Sequence, residues 1–479
     1  MRASIYGPET RKWWTLAAVS FGLFMIMLDN TVVNVALPSI QRDLGVDLSE
    51  LEWIVTGYAL SFAALMLTGG KVADMVGRRR IFVLGIIVFT AASFLCGIAE
   101  SSELLIGARV LQGVGAALMN PATLSIISAT FPPAQRGTAI GIWAGVSALA
   151  LAIGPLVGGL LTQHVGWEWI FFVNIPVGIL GIAASYLFID ESKDTSHEQR
   201  LDLPGLLTSG IGLFALTYGL IEANTYGWTS ARILAAFAIA AVGLVSFVLL
   251  ERHQRLPMLD LSLFRSGTFA GANLVILLVA FAMFGIFLFL SLYMQNILGY
   301  SAVQAGAAFL PMTILIILIA PIAGKATDRI GSRWLMTAGM TLIAVQLLYF
   351  STLGIAATYG EILPAMLIGG VGMALTMTPS AAAAIRSVPV DKSGVGSAVL
   401  NSFRQVGGSI GIAVMGAIVA HEVAGRRSPE AFVDGFTRAL EVAAGIAVVG
   451  AVVAAVLVRS HATEEEAGRR DEVAVVAAE

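Results

Sequence analysis

Fourteen apolar runs of about twenty residues follow one another along the chain, near 15–37, 53–70, 82–99, 104–128, 138–162, 168–189, 205–224, 232–250, 269–292, 304–324, 334–354, 361–384, 397–420 and 438–458. A helix rising 1.5 Å per residue needs ~20 apolar residues to cross ~30 Å of hydrocarbon. Each run therefore predicts a membrane-spanning helix, and the short polar connections leave little folded mass outside the bilayer. The first run follows basic residues, as the apolar run of a signal peptide would. It is, however, about 24 residues long and ends at Leu37-Pro38 without a small-residue cleavage site, so it is expected to be retained.

The polar connections carry an orientation and a repeat. With the N-terminus inside, alternate connections place 21 of the 28 Lys and Arg on the inner side and 5 on the outer. The remaining two, Arg109 and Arg404, fall within spans. This bias puts both termini in the cytoplasm; Arg426, Arg427 and Arg438, in the outer stretch 421–438, are the exception. After the second run comes Gly70-Lys71-Val72-Ala73-Asp74-Met75-Val76-Gly77-Arg78-Arg79, and after the tenth comes Gly324-Lys325-Ala326-Thr327-Asp328-Arg329-Ile330-Gly331-Ser332-Arg333. Glycine, lysine, aspartate, glycine and the last arginine recur at a constant offset of 254 residues. Parallel repetition of six-span halves is a transporter plan, and that offset holds one half plus two further helices. The expected fold is all-α, with two pseudo-symmetric six-helix bundles and two inserted helices. Its boundaries are 1–190 for the first bundle, 191–255 for the inserted pair with its connector, 256–460 for the second bundle and 461–479 for a cytoplasmic tail.

Composition removes other classes. With 57% hydrophobic and 12% charged residues and a mean hydropathy of +0.85, the chain cannot cover a water-facing surface over its 479 residues. A net charge of −3 without a basic stripe argues against nucleic acid. The single cysteine, Cys96, excludes internal disulfides, and the five histidines show no metal spacing. No phosphate-cradling loop or nucleophile elbow occurs, so neither a nucleotide-driven pump nor an enzyme is expected.

Two charges inside spans carry the chemistry. A charged side chain at membrane depth costs at least ~2.5–3.5 kcal/mol on insertion scales. Asp29, in Leu28-Asp29-Asn30-Thr31-Val32-Val33-Asn34, lies roughly 6 Å past the midpoint of the first span on the outer side. Arg109, in Leu105-Ile106-Gly107-Ala108-Arg109-Val110-Leu111-Gln112-Gly113, is in the outer half of the fourth. Burial disfavours an ionised carboxylate while a nearby guanidinium favours it. A conformational change that alters their spacing or water access would then move a proton. A purely structural ion pair is the alternative. In the repeated segments, Gly70 and Gly77 permit a tight hairpin, and Asp74 beside Arg78 and Arg79 can form a charge-assisted latch. Gly324, Asp328, Gly331 and Arg333 are its second copy; simple inside anchoring explains the arginines but not the aspartates. The fifth span carries Gly141, Gly154-Pro155 and Gly158, either generic close packing or a span shaped to bend while sealing the pathway.

Together these motifs resemble the major facilitator superfamily, and within it the fourteen-span drug:proton antiporter branch. The segment Gly166-Trp167-Glu168-Trp169-Ile170-Phe171-Phe172-Val173-Asn174-Ile175-Pro176 adds to the likeness, which covers nearly the whole chain. The resemblance implies export in exchange for protons by alternating access, proton roles for Asp29 and Arg109, gating by the Asp74 segment, and an antiporter motif at Gly141, Gly154, Pro155 and Gly158. Three positions depart from the pattern: Ala150 for a second glycine, Glu168 for a frequent arginine, and Ser332 for a basic residue.

Cavity candidates are Asn34, Tyr58, Gln112, Trp143, Glu222, Phe284, Tyr293 and Arg404. The aromatics among them would stack on a flat or cationic ligand, or else pack in lipid or core; Glu222 reads as a helix-end acid, and Arg404 either lines the pathway or snorkels. The leading expectation is a monomeric, multi-pass cell-membrane exporter of amphipathic or aromatic compounds, driven by the proton gradient without a cofactor. With Asp29 as the one deeply placed carboxylate, one proton per cycle is expected. One charge crossing ~100 mV is worth ~2.3 kcal/mol, so a monovalent cation would exchange electroneutrally and a divalent cation would gain nothing. A dedicated exporter of one metabolite, lipid or self-made antibiotic is the second reading. A ligand-binding receptor or scaffold without turnover is the reading of another class.

Overall fold

The structure, a computed structural model, describes residues 8–459 except 194–200, 255–256, 258, 389–392 and 425–427, with backbone alone at 8–9, 133–134, 137, 141, 144, 148, 151–152 and 393–394. Sixteen α-helices follow in order: α1 Pro8–Leu44, α2 Leu48–Val76, α3 Arg78–Gly97, α4 Ser102–Thr130, α5 Pro133–His164, α6 Trp169–Phe172, α7 Asn174–Phe188, α8 Leu203–Tyr226 and α9 Ala231–His253. The series continues with α10 Gly267–Leu292, α11 Ala302–Ala308, α12 Leu310–Ile330, α13 Ser332–Phe350, α14 Tyr359–Arg386, α15 Ser393–Val423 and α16 Pro429–Leu457. Thirteen stretches among the described residues are long and apolar enough to cross a membrane. The remaining expected span, 138–162, falls on α5, whose side chains are described only in part. The expected tail 461–479 lies outside the described residues.

Polar residues set the helix ends. Asp47 caps α2 by accepting the Glu50 N–H at 2.9 Å, while the Glu50 carboxylate accepts the Asp47 N–H at 2.8 Å. The resulting capping box satisfies two otherwise orphaned donors. Ser301 forms a second capping box with Gln304 on α11, and the hydroxyls of Ser101, Ser230 and Ser428 each accept one backbone N–H at the start of α4, α9 and α16.

Helices α1–α5 and α7 share one apolar core, with Phe62, Phe82, Phe89 and Phe131 fully buried in it. Helices α10 and α12–α16 build another, which continues into the distal ends of α1, α2 and α4. Helices α8 and α9 pack on each other, and α8 rests between α2 and α15. Close approach of α2 and α4 depends on Gly113, where a methyl group would overlap the Ser61 hydroxyl and the Tyr58 carbonyl oxygen. Gly113→Ala is expected to cost about 1–3 kcal/mol of overpacking, read as a lowered midpoint of thermal unfolding in detergent.

The two halves are joined at the end remote from Pro8 and Arg459. There Gln295 Nε2 donates to the Val35 carbonyl oxygen at 2.9 Å, Asn296 Nδ2 to Gln41 Oε1 at 3.3 Å, and the Val303 N–H to Gln163 Oε1 at 3.1 Å. The backbones of α5 and α11 also meet, with Gly159 against Ala302 and Gly306 against the Pro155 carbonyl. The halves are thus closed over each other at this distal end.

Candidate functional site

Asp29 sits mid-way along α1 facing α4, where Arg109 and Gln112 share one face at a three-residue spacing. Arg109 Nη1 donates to Asp29 Oδ2 at 2.5 Å and to Gln112 Oε1 at 2.7 Å, and Gln112 Nε2 donates to Asp29 Oδ1 at 3.1 Å. All three side chains are 0% exposed. Burying two charges costs several kcal/mol per ion unless further hydrogen bonds meet the remaining donors and acceptors. Here they do. Arg109 Nε donates to the Ile54 carbonyl oxygen at 3.0 Å, and its guanidinium lies 4.4 Å from the Tyr58 ring centroid and 5.7 Å from that of Phe171.

The pair is the head of a longer polar chain. Gln112 Nε2 also donates to Ser93 Oγ at 2.7 Å, and Asn174 Nδ2 reaches the same oxygen at 3.4 Å. The Cys96 thiol points at Gln112 Oε1, 3.5 Å away. Helices α1, α3, α4 and α7 thus meet at one buried network whose only acid is Asp29 and only base Arg109. Sequence reasoning missed Ser93, Asn174, Phe171 and the Ile54 carbonyl, although Asn174 stands inside the Gly166–Pro176 segment that carried the resemblance. Gln112, expected in the cavity wall, belongs to the ion pair instead.

The repeated segments differ from the expected hairpins. Gly70 and Asp74 lie on the last turns of α2, Arg78 and Arg79 begin α3, and only Gly77, at φ +135°, breaks the helix. Arg78 Nε donates to Asp74 Oδ1 at 2.8 Å. Arg79 and Arg80 turn to Glu191, beyond α7, whose carboxylate accepts both their backbone N–H groups at 3.1 and 3.3 Å and fills the space over Gly77. In the second copy Gly324 and Asp328 are on α12, Gly331 is the break, and Arg333 starts α13 over the Trp334 ring. Asp328 there pairs with Arg386 at the end of α14, not with its own segment.

On α5, Gly154 packs against Leu28 and Thr31 and Gly158 against Val32, so Pro155, inside the helix, lies beside the helix that bears Asp29. The surroundings of Gly141 lie outside the described residues. The aromatic candidates do not converge. Tyr293 is buried at the distal end, donating to the Gly354 carbonyl oxygen and packing on Phe436. Phe284 packs on Gly408, and Trp143 Nε1 donates to Thr123 Oγ1 at 3.0 Å. Glu222 is half-buried and accepts from Trp53 Nε1 at 3.2 Å, more tightly held than a helix-end acid would be. Of the aromatics, Tyr58 alone joins the Asp29 site; Asn30 lies beside it, and Asn34, one turn further along α1, donates to the Asn30 carbonyl oxygen at 3.1 Å. Arg404 of α15 faces Tyr58 across the halves, half-buried and without an ion pair among the described residues.

Described residues that are all-helical with thirteen apolar spans, a segment repeated at a fixed offset and a polar network buried inside one bundle define a polytopic membrane transport protein. It belongs to the Major Facilitator Superfamily, whose family model matches residues 19–412. The chain is 36% identical to the tetracenomycin C resistance and export protein of Streptomyces glaucescens, over 87% of its own length and 78% of that protein's. It is 38% identical to the puromycin resistance protein pur8 of Streptomyces alboniger, over 97% and 95%. The fold superposes with a TM-score of 0.67 on an inward-facing, unoccupied bacterial homologue of the human lysosomal transporter Spinster, at 18% identity and covering 95% and 98% of the two chains. The protein is a multi-pass cell-membrane protein that moves small molecules.

Proposed function

We propose that the protein is a proton-coupled antiporter that exports drug-like compounds from the cytoplasm by alternating access. It uses fourteen spans in a six-two-six arrangement, has both termini inside, and draws on the proton gradient without a cofactor. The observation that carries this reading is the sealed Asp29–Arg109–Gln112 network. Asp29 accepts only from N–H donors, so a proton can reach it only when α1 moves off α4 and water enters. The α5 contact at Gly154 and Gly158 supplies a mechanical link, because bending at Pro155 shifts α1. With the distal end outside, the closed state is inward-facing, and Asp74–Arg78 and Asp328–Arg386 sit at the cytoplasmic mouth as candidate latches. In everted vesicles, an imposed proton gradient (interior acid) is expected to drive substrate uptake, and collapsing the gradient should stop it. Uptake that ignores the gradient would sink the reading.

Arg404 bears on the substrate. An unpaired guanidinium facing the path between the halves disfavours organic cations and favours neutral or acidic aromatic compounds, which Tyr58 can stack. Loss of one charge-assisted hydrogen bond costs about 1.5–3 kcal/mol, roughly tenfold or more in affinity. Arg404→Ala is therefore expected to raise KM at least about tenfold for acidic aromatic substrates and to leave neutral ones nearly unchanged, measured in the same vesicles.

A further inference from the structure

Among the described residues, the buried carboxyls outside the network just described are Glu52, Asp202 and Glu251, and Glu52 bears on the contact between the halves. Glu52, on the second turn of α2 at the distal end, is 2% exposed, and its Oε2 has no hydrogen-bond partner. Its carboxyl is pressed onto the bare face of Gly416 on α15, where a methyl group would overlap it, so it forms part of the seal between the halves. Its charged neighbours are acids: Asp47, which caps its own helix, and Glu222 across from it on α8. Arg232 of α9 is spent on Glu222 and on the rings of Tyr226 and Tyr218. Toward the end of α15, His421 and Glu422 face a separate pocket with Arg438, which pairs with Glu422. Beside Glu52 opens a cavity of about 620 Å³, lined also by Asp47, Ser49, Asn224 and Thr225.

An ionised carboxylate in this position would be buried without a counter-ion and repelled by its acidic neighbours, which disfavours the charged form while the halves are closed. We infer that Glu52 is a proton-binding site of the outer gate, occupied while the halves are closed over it and emptied to the outside when they part. Parting lifts Gly416 away and admits water from the cavity, so the proton leaves as hydronium and the carboxylate stays hydrated. Re-closure then requires a proton to be taken back from the same side. The site returns its proton to the side it came from, so it makes closure of the gate depend on external pH without adding to the protons transported. This rests on alternating access in the reading above, but not on coupling at Asp29.

The test is a distance measurement across the gate in lipid nanodiscs, without substrate or gradient, using spin labels at Gln41→Cys and Asn296→Cys; the fully buried Cys96 is left in place. In the otherwise native protein the short-distance population should dominate in acidic buffer and give way to a longer one as pH rises. Glu52→Gln, a neutral isostere, should stay closed throughout, losing the pH response. Gly416→Ala, which denies the carboxyl its seat, should shift the protein toward the open distance in acidic buffer as well. A Glu52→Gln protein that opens with pH as the native one does would overturn the assignment, as would a Gly416→Ala protein with the native closed population and response. Proton exchange read in parallel separates the two ideas: Asp29→Asn should keep the native response of the gate distance to pH, so a failure of coupling at Asp29 would appear in exchange alone, whereas a failure of the Glu52 assignment would appear in the distance response.

Discussion

Asp29→Asn is expected to reduce substrate-driven proton release from acid-loaded everted vesicles to the level of empty vesicles, while substrate binding stays measurable. The reason is local. The substitution keeps the volume and leaves an oxygen that Arg109 can still use, so the contact between α1 and α4 has a replacement. What disappears is the only group in the network able to alternate between carrying and releasing a proton, since Arg109 stays protonated and Gln112, Ser93 and Asn174 do not titrate in range. Binding by equilibrium dialysis or tryptophan quenching provides the control for folding. Normal proton exchange by the Asn variant would place coupling elsewhere, and a loss of binding together with exchange would make the network structural.

Much of this was legible in the residues because the bilayer makes polar groups conspicuous. Apolar runs of fixed length marked the spans, and the 254-residue offset marked two corresponding helix junctions, α2–α3 and α12–α13. Asp29 and Arg109 stood out as lone charges of opposite sign at similar depth, and the structure joins them. The neutral members of the network were not legible: a serine, an asparagine or a backbone carbonyl inside a span looks the same whether it ends a hydrogen-bond chain or bonds its own helix, as Ser61 does. Glu52 escaped for a different reason. The apolar pattern starts the second span at residue 53, which leaves Glu52 in a connection, whereas the helix begins at Leu48 under the Asp47 cap and α15 closes over it. Asp29 is therefore not the one buried carboxylate: Glu52 is buried at a different depth, and Asp202 and Glu251 are buried at the ends of α8 and α9. The aromatic wall was overread, because Tyr293, Phe284 and Trp143 each satisfy packing within their own half.

Arg109→Gln should be the most damaging single change to stability, and its rescue separates structure from coupling. Removing one partner of a buried ion pair leaves an uncompensated charge, which costs about 3–5 kcal/mol. Asp29 would keep Gln112 as its one certain donor, and the Ile54 carbonyl and the Tyr58 ring would lose theirs. The variant should show a sharply reduced yield of monodisperse protein and a lowered unfolding midpoint. Adding Asp29→Asn removes the orphaned charge, so the double variant should be more stable than Arg109→Gln alone; the recovery stays partial because the Ile54 carbonyl remains without its donor. The departure from additivity measures the pair directly, as contacting residues couple where distant ones do not. Strict additivity would mean that the two side chains stabilise the bundle independently. Recovered stability with proton exchange still absent would show that holding α1 to α4 and moving a proton are separate properties of one contact, the first replaceable by neutral hydrogen bonds and the second dependent on the Asp29 carboxyl.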